Sequence, residues 1–196
     1  MSRHYLTVDL GTGSTRLALV ASGGEILGIK AFQNTYYRDD AYEDAQYFRP
    51  REWREKLLEC CSALCGMFPD VPVDAVTAAG ARQSFVLFDA DGNDFLGLPN
   101  IDNRGRAFVG AIPEKQELYR LSGKWVTEDF GAAKLLGLRK VRPELYARVA
   151  RLTSVSEWVA AIFTGKIVIE PSQACETQLY DIGGKRWSPE LCAAFG

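Results

Sequence analysis

The sequence predicts an α/β fold in which a mixed β-sheet is flanked by helices. Three runs rich in β-forming residues open the chain, and turn signals separate them. An amphipathic stretch and a further apolar run follow, which is the order of a helix and then a strand that joins the first sheet. With 196 residues, 47% of them hydrophobic, the chain is long enough to bury a substantial core.

The first three runs predict a three-stranded meander. Their sequences are HYLTVDL, TRLALVAS and EILGIKAFQ, and the connections between them are GTGS and SGGE. Glycine and serine in such short connections favour tight hairpins, so each strand is expected to lie antiparallel to the next.

The next predicted element is a helix that begins at Pro50 and continues through REWREKLLECCSALCGMF. Its apolar residues recur at helical spacing and are expected to face the core: Trp53, Leu57, Leu58, Cys61, Leu64 and Cys65. After the turn PDVP, the runs VDAVTAAG and QSFVLFD predict strands, and the strand that follows the helix is expected to extend the first sheet.

The remainder of the chain is predicted to be mostly helical. Helices are expected in RAFVGAIPEKQELYRLSG, GAAKLLGLRKVRPELYARVA and SVSEWVAAIFTG, and Pro143 divides the second of these. The run KIVIE predicts a further strand. Because the chain stops at WSPELCAAFG, directly after another predicted helix, we expect it to be part of a longer protein.

Composition excludes several classes of function. The formal net charge is -2, and the charged residues are interspersed, so no basic stripe for nucleic acid is present. The lone histidine, His4, and five cysteines without CxxC pairs cannot form a Cys/His zinc set, and the thiols are expected to be buried. No apolar run has the length of a signal or membrane segment, which predicts a cytoplasmic protein without a membrane partner.

An acid, Asp9, precedes the turn Gly11–Ser14, which is rich in groups that suit an anion. A carboxylate repels phosphate oxygens, so the arrangement makes sense where a cation lies between them, as in Mg-nucleotide sites. The P-loop lysine is absent and GxGxxG is incomplete, which excludes both of those loops. The alternative is a plain hairpin in which Asp9 and the glycines serve only turn geometry.

The segment DLGTGSTRLALV resembles the first phosphate motif of the FGGY carbohydrate kinases, a branch of the superfamily of sugar kinases, heat-shock ATPases and actin. Further segments match in order: AGARQSFVLFDADGN, NIDNRGR, GAAKLLGLRK, SEWVAAIFTGKIVIEPSQAC and LYDIGGKRWSPEL. The resemblance implies that residues 1–196 are a ribonuclease H-like N-terminal domain, incomplete and without the family's C-terminal domain. ATP and sugar would bind in the cleft between the two domains.

The resemblance also implies roles for individual residues. Asp9 would orient Mg²⁺, and the phosphates of ATP would contact Gly11, Thr12, Gly13, Ser14 and Arg16. An exposed cross-strand cation is the alternative role of Arg16. The family's catalytic Asp, the base that deprotonates the acceptor hydroxyl, is expected beyond Gly196. No catalytic residue is therefore assigned in this chain, which alone is expected to be inactive.

Four further residues match positions that bind the acceptor in the family: Gln83, Asp102, Arg104 and Asp129. A glutamine amide both donates to and accepts from hydroxyl groups, and a carboxylate accepts from them. The alternatives are an exposed polar residue at the start of a strand for Gln83 and a helix cap for Asp102.

These resemblances predict an ATP-dependent kinase that transfers the γ-phosphoryl group to a hydroxyl of a small sugar or polyol. Asp129 stands where glycerol kinases have a tyrosine, which disfavours glycerol. The segments RQSFVLFDADGN and PNIDNRGR are most similar to the autoinducer-2 kinase branch, so a xylulose-like ketose or the autoinducer-2 precursor is favoured. The alternative function is a non-catalytic module that binds a sugar or a partner on the same fold. A homodimer is left open.

Overall fold

The computed structural model describes residues 3–196 and contains eleven strands and eight helices within that range. The strands are β1 (His4–Leu10), β2 (Ser14–Ala21), β3 (Ile26–Gln33), β4 (Tyr37–Arg38), β5 (Gln46–Tyr47), β6 (Ala75–Gly80), β7 (Phe85–Phe88), β8 (Asp94–Leu98), β9 (Arg151–Ser154), β10 (Tyr180–Asp181) and β11 (Arg186–Trp187). The helices are α1 (Pro50–Gly66), α2 (Arg106–Val109), α3 (Lys115–Ser122), α4 (Gly131–Val141), α5 (Pro143–Tyr146), α6 (Val155–Thr164), α7 (Pro171–Cys175) and α8 (Pro189–Phe195).

The predicted meander and its extension are confirmed as one four-stranded mixed sheet. Its strand order is β3-β2-β1-β6, in which β1, β2 and β3 are antiparallel neighbours and β6 runs parallel to β1. The alternation along β1 decides which face is covered, because Leu6, Val8 and Leu10 are buried whereas Asp9 between them is exposed. Asp9 therefore lies on the face opposite the core.

Helices α1 and α6 cover the apolar face of this sheet. Trp53 and Leu57 of α1 meet Trp158 and Val159 of α6 in one core with the strand residues. The predicted apolar stripe of α1 is narrower than expected, because Leu58 is 42% exposed. The core forms directly beneath the strand that carries Asp9 and thereby fixes the position of that strand.

A second, antiparallel sheet has the order β8-β7-β9 and packs beside the first. The strand β9, Arg151–Ser154, was not predicted, because four residues are too short for a clear alternation. The strand predicted in KIVIE is wrong. Residues 166–170 run beside β9, but Thr153 reaches them only through a hydroxyl bond to the carbonyl of Val168, and no backbone ladder forms within the described part of the chain.

The helical predictions are confirmed in part. Pro143 separates α4 from α5 as expected, whereas the helix predicted in RAFVGAIPEKQELYRLSG is two helices, α2 and α3, with Pro113 in the loop between them.

The expectation of buried thiols is wrong for Cys192, which is exposed, and right for Cys61, whose burial raises the pKa of its thiol to about 11. None of the helices between residues 3 and 196 combines the length and apolar character needed to cross a bilayer.

Candidate active site

The turn between β1 and β2 has its carbonyl oxygens bound by the protein itself. Asn34 donates from Nδ2 to the Gly11 carbonyl over 2.7 Å, and Tyr36 donates from Oη to the Thr12 carbonyl over 2.6 Å. Burial raises the pKa of Tyr36, which keeps its hydroxyl protonated as a donor. The carbonyl oxygens of Gly11 and Thr12 thus hold the turn in place through bonds to Asn34 and Tyr36. They do not point toward a ligand.

Two backbone N–H donors of the same turn are free. The backbone N–H groups of Thr12 and Gly13 donate to no group among residues 3–196. A Cβ at Gly13 would meet nothing within 4 Å, whereas a Cβ at Gly11 would lie 3.3 Å from the Ser14 carbonyl oxygen. Consecutive free N–H groups beside an open approach form a concavity that suits an anion such as phosphate.

Asp9 lies beside this turn and pairs with Arg16 across the ladder. Arg16 Nη1 and Asp9 Oδ2 are 3.8 Å apart, and the Asp9 and Arg16 side chains are 58% and 63% exposed, so the ion pair contributes little stability. Within residues 3–196, no three His, Cys, Asp or Glu side chains form a metal cluster. Mg²⁺ is commonly held by one or two carboxylates together with phosphates and water, so a single exposed Asp9 beside free N–H donors fits that ion.

Gln83 immediately precedes the β7 region, in a backbone conformation that few residues adopt. Its φ is 58°, in the left-handed region. The Nζ atom of Lys134, a fully buried residue of α4, donates to the Gln83 carbonyl and to the Pro99 carbonyl, each over 2.6 Å. Burial lowers the pKa of Lys134 to about 8. Lys134, which sequence reasoning missed, therefore ties the Gln83 backbone to the end of β8.

Asp102 and Arg104 form a buried ion pair in the loop between β8 and α2. Asp102 accepts from Arg104 Nε over 2.7 Å and from the Gln46 backbone N–H over 3.0 Å, and neither side chain has exposed surface. Burial raises the pKa of Asp102, and the Arg104 guanidinium acts against that rise. The cap alternative for Asp102 is wrong, because α2 begins after Gly105. The pair holds the loop in which it lies, and direct contact with a sugar stays a prediction.

Asp129 is exposed, unlike the buried pair. It accepts from the Thr127 hydroxyl over 3.1 Å and lies two residues before α4, the helix that carries Lys134. Burial lowers the pKa of Lys134, and the negative charge of Asp129 opposes that lowering. A role in acceptor binding stays a prediction.

Asn100 connects the predicted phosphate turn, Gly11–Ser14, to the predicted acceptor segment around Gln83. Its side-chain amide donates to the Thr12 hydroxyl over 3.0 Å, and its backbone N–H donates to the Ser84 hydroxyl over 2.9 Å. Two hydrogen bonds therefore lead from the turn after β1 to the residue next to Gln83. Asn34 and Tyr36 at the turn, and Asn100 in this link, were not found from the sequence, because single polar residues in loops carry no pattern.

A large groove lies away from these residues. It has a volume of about 650 Å³ between the edge strand β6 and helix α6, and none of the predicted site residues lines it. Its walls include Val76 and Phe163, which are partly exposed apolar residues. The polar geometry, and not the size of a cavity, therefore locates the candidate site.

Comparison with known proteins identifies the family of this chain. The family model described as the N-terminal domain of the FGGY family of carbohydrate kinases matches residues 4–196. The chain belongs to the FGGY family of carbohydrate kinases. Its match to this family spans both the phosphate turn and the acceptor segment, so the two halves of the candidate site lie within one family domain.

Two curated FGGY relatives match over nearly the whole chain. YoaC of Bacillus subtilis (strain 168), which carries a provisional name as a sugar kinase, is 38% identical over 192 residues, covering 98% of this chain and 39% of YoaC. The autoinducer-2 kinase of Salmonella choleraesuis (strain SC-B67) is 27% identical over 204 residues, covering 100% of this chain and 38% of that protein. The chain thus spans about two fifths of the length of these relatives.

A solved structure shows the same fold. The glycerol kinase of Plasmodium falciparum, crystallised with ADP, superposes with a TM-score of 0.89 at 17% identity, covering 99% of this chain and 41% of that one. The predicted α/β fold, in which a mixed sheet is flanked by helices, is confirmed.

Proposed function

We propose that this chain is the phosphate-binding and acceptor-binding part of an ATP-dependent carbohydrate kinase. The observation that carries the proposal is the hydrogen-bonded link from Thr12 through Asn100 to Ser84, which joins a turn with free N–H donors to the Gln83 segment. A module that only bound sugar would have no use for an anion-binding turn with a carboxylate beside it. The membership of the FGGY family supports the same assignment.

In this proposal the chain binds and orients both reactants. The free N–H groups of Thr12 and Gly13 would bind phosphate oxygens, with Ser14 and Arg16 beside them. Mg²⁺, held at Asp9, would supply positive charge to the phosphates. Gln83 and Asp129 would contact the acceptor, and the buried Asp102–Arg104 pair would hold the loop beneath it.

The transfer itself forms a bond between the acceptor hydroxyl oxygen and the γ-phosphorus and breaks the bond from that phosphorus to the ADP oxygen. The hydroxyl proton passes to a carboxylate base that we expect downstream of Gly196. Positioning and electrostatic stabilisation supply most of the catalysis in such a loose transition state.

The favoured acceptors are a xylulose-like ketose and the autoinducer-2 precursor, and the autoinducer-2 kinase relative supports the second. A cytoplasmic location is part of the same proposal.

The test is ADP release by the intact protein that contains this chain, with ATP and Mg²⁺ and a panel of ketoses, pentitols, glycerol, gluconate and the autoinducer-2 precursor. We expect one acceptor to stimulate release well above the others. If ATP and sugars bind but no acceptor stimulates release, the non-catalytic binding module replaces the kinase.

The variant Asp9→Ala tests the metal role within the same assay. We expect it to abolish Mg-dependent turnover and to leave sugar binding nearly unchanged, because Asp9 lies at the phosphate turn and not at the Gln83 segment. The matched control is Asp70→Ala, which removes an exposed acid in the loop after α1 and should retain full turnover. Equal turnover in Asp9→Ala and the wild type would contradict the assignment of Asp9.

A further inference from the structure

A buried carboxylate contacts the carboxamide of Gln83 from the side of the protein. Gln83 Nε2 donates to Glu176 Oε2 over 2.7 Å, and Lys124 Nζ donates to the other oxygen, Glu176 Oε1, over 2.8 Å. The Glu176 side chain is only 6% exposed, so its charge depends on these partners. Gln83 and Glu176 are 93 residues apart in the sequence, and only the fold brings them together.

The contact decides which way the Gln83 carboxamide points. An ionised carboxylate is an acceptor only, so it must face the nitrogen of the carboxamide and not its oxygen. The Gln83 carbonyl oxygen, Oε1, is then turned away from Glu176 and accepts no hydrogen bond from residues 3–196. The usual ambiguity between the two ends of a glutamine amide is removed at this position.

The surroundings hold this trio in place. The Glu176 carbonyl accepts from the N–H of Gly131 at the start of α4, and the side chain of Gln178 donates to the Lys124 carbonyl over 2.9 Å. The Gln83 backbone is itself fixed by Lys134. Both the main chain and the side chain of Gln83 are therefore oriented before any ligand binds.

We propose that Glu176, held by Lys124, is a positioning residue that makes Gln83 present a carbonyl oxygen to the acceptor. The subsite at Gln83 then takes a substrate hydroxyl, which can donate a hydrogen bond, and disfavours an oxo or carboxylate group, which cannot. This inference rests on the proposed function, because it takes Gln83 to contact the acceptor. It assigns to the subsite a chemical preference for a hydroxylated carbon.

The test compares Glu176→Gln with the wild type in the intact protein, with acceptor pairs that differ by one hydroxyl against one oxo group: xylitol with D-xylulose, and glycerol with dihydroxyacetone. A glutamine at 176 can donate as well as accept, so the Gln83 carboxamide becomes free to turn over. We expect KM for the best acceptor to rise about tenfold, the loss of one well-formed hydrogen bond, with kcat nearly unchanged. We also expect the ratio of kcat/KM between pair members to shift toward the oxo compound.

A second pair of variants separates positioning from general stability. In Gln83→Asn the residue still tolerates the left-handed backbone, but its shorter amide does not reach Glu176. If Glu176 acts through Gln83, adding Glu176→Gln to Gln83→Asn should change KM less than twofold, the expected non-additivity of coupled residues. Additive effects of the two substitutions on KM would overturn the inference.

Lys124 supplies a further test that does not depend on the folding of Glu176→Gln. Lys124→Met should raise KM in the same direction, and Lys124→Arg should restore it, because arginine keeps the charge and the donor. If the wild type transfers phosphate to no acceptor, the proposed function fails. If the wild type is active and both Glu176→Gln and Lys124→Met match it in KM and in acceptor ratio, only the role of Glu176 is refuted.

Discussion

At the scale of single residues, Lys134 is a cation that the fold buries without a carboxylate in hydrogen-bond contact. Its Nζ donates to two backbone carbonyls, and a neutral amine still carries two N–H donors for them. Burial lowers its pKa to about 8, Arg104 acts in the same direction, and Asp102 and Asp129 oppose it. The folded chain therefore releases this proton at a lower pH than the unfolded chain does.

This pKa makes stability depend on pH. Between about pH 8 and the ordinary lysine value of 10.5, the unfolded chain binds the proton that the folded chain has released, so stability rises with pH across that window. The full change corresponds to about 3 kcal/mol. We expect chemical denaturation of the intact protein at pH 7.5 and pH 10.5 to show this rise, and Lys134→Met to lose it.

The control for this prediction is Lys140→Met, which changes an exposed lysine of the same helix. Its stability should follow the wild-type pH dependence. A Lys134→Met protein whose stability rises with pH as steeply as that of the wild type would show that other groups cause the dependence.

At the scale of elements, α4 approaches the loop of the buried ion pair backbone to backbone. A Cβ at Gly137 would lie 2.3 Å from the Arg104 carbonyl oxygen, and a Cβ at Gly105 would lie 2.3 Å from the Ala133 carbonyl oxygen. Gly137 on the helix faces the loop, and Gly105 on the loop faces the helix. Because neither has a side chain, the two backbones can approach this closely. The close approach places Lys134 of α4 under the Gln83 segment.

Gly137→Ala should therefore destabilise the protein although alanine is the better helix former. The gain in helix propensity is about 1 kcal/mol, and the clash with backbone atoms cannot be relieved by a side-chain rotation. We expect a net loss of about 1 to 3 kcal/mol in the free energy of unfolding, measured by denaturation. We also expect a higher KM for the acceptor, measured by ADP release.

Gly66→Ala is the matched control, because Gly66 ends α1 and a Cβ there meets nothing within 4 Å. It should be neutral or stabilising by up to about 1 kcal/mol. A Gly137→Ala protein as stable as Gly66→Ala would mean that α4 moves away from the loop without cost.

At the scale of the whole molecule, the four-stranded sheet carries the phosphate turn and the second sheet carries the acceptor segment. Asn100, after β8, bonds to Thr12 of the first and to Ser84 beside the second. The relative position of the two predicted half-sites thus depends on a residue that belongs to neither.

Asn100→Ala should weaken this link without disrupting either sheet. We expect the free energy of unfolding to fall by about 1 kcal/mol and KM for ATP to rise about fivefold, because the Thr12 hydroxyl loses its partner. Initial-rate kinetics with ATP varied at saturating acceptor would measure the change. Asn93→Ala removes an exposed turn amide that donates from Nδ2 to Asp89 and should lower stability alone, so an equal rise in KM for ATP in both variants would contradict the link.

Local patterns were enough to predict much of this molecule. The meander followed from alternation and glycine turns, and the start of α1 followed from Pro50. The phosphate role of Gly11–Ser14 stays a prediction. The prediction of a strand in KIVIE failed because a strand requires backbone hydrogen bonds to a neighbouring strand, and a local pattern does not show whether they form. The prediction that Leu58 faces the core failed for a related reason, since the width of a buried stripe depends on what packs against the helix.

The sequence by itself determined the first sheet and the family, because alternation, turn residues and ordered motifs are properties of neighbouring residues. Only the tertiary structure decided that Asp102 and Arg104 are enclosed and that Lys134 holds the Gln83 backbone. It alone placed Glu176 on a carboxamide 93 residues away. Hydrogen bonds to backbone carbonyls and between distant side chains depend on where the chain returns in space, and residue order alone does not specify that.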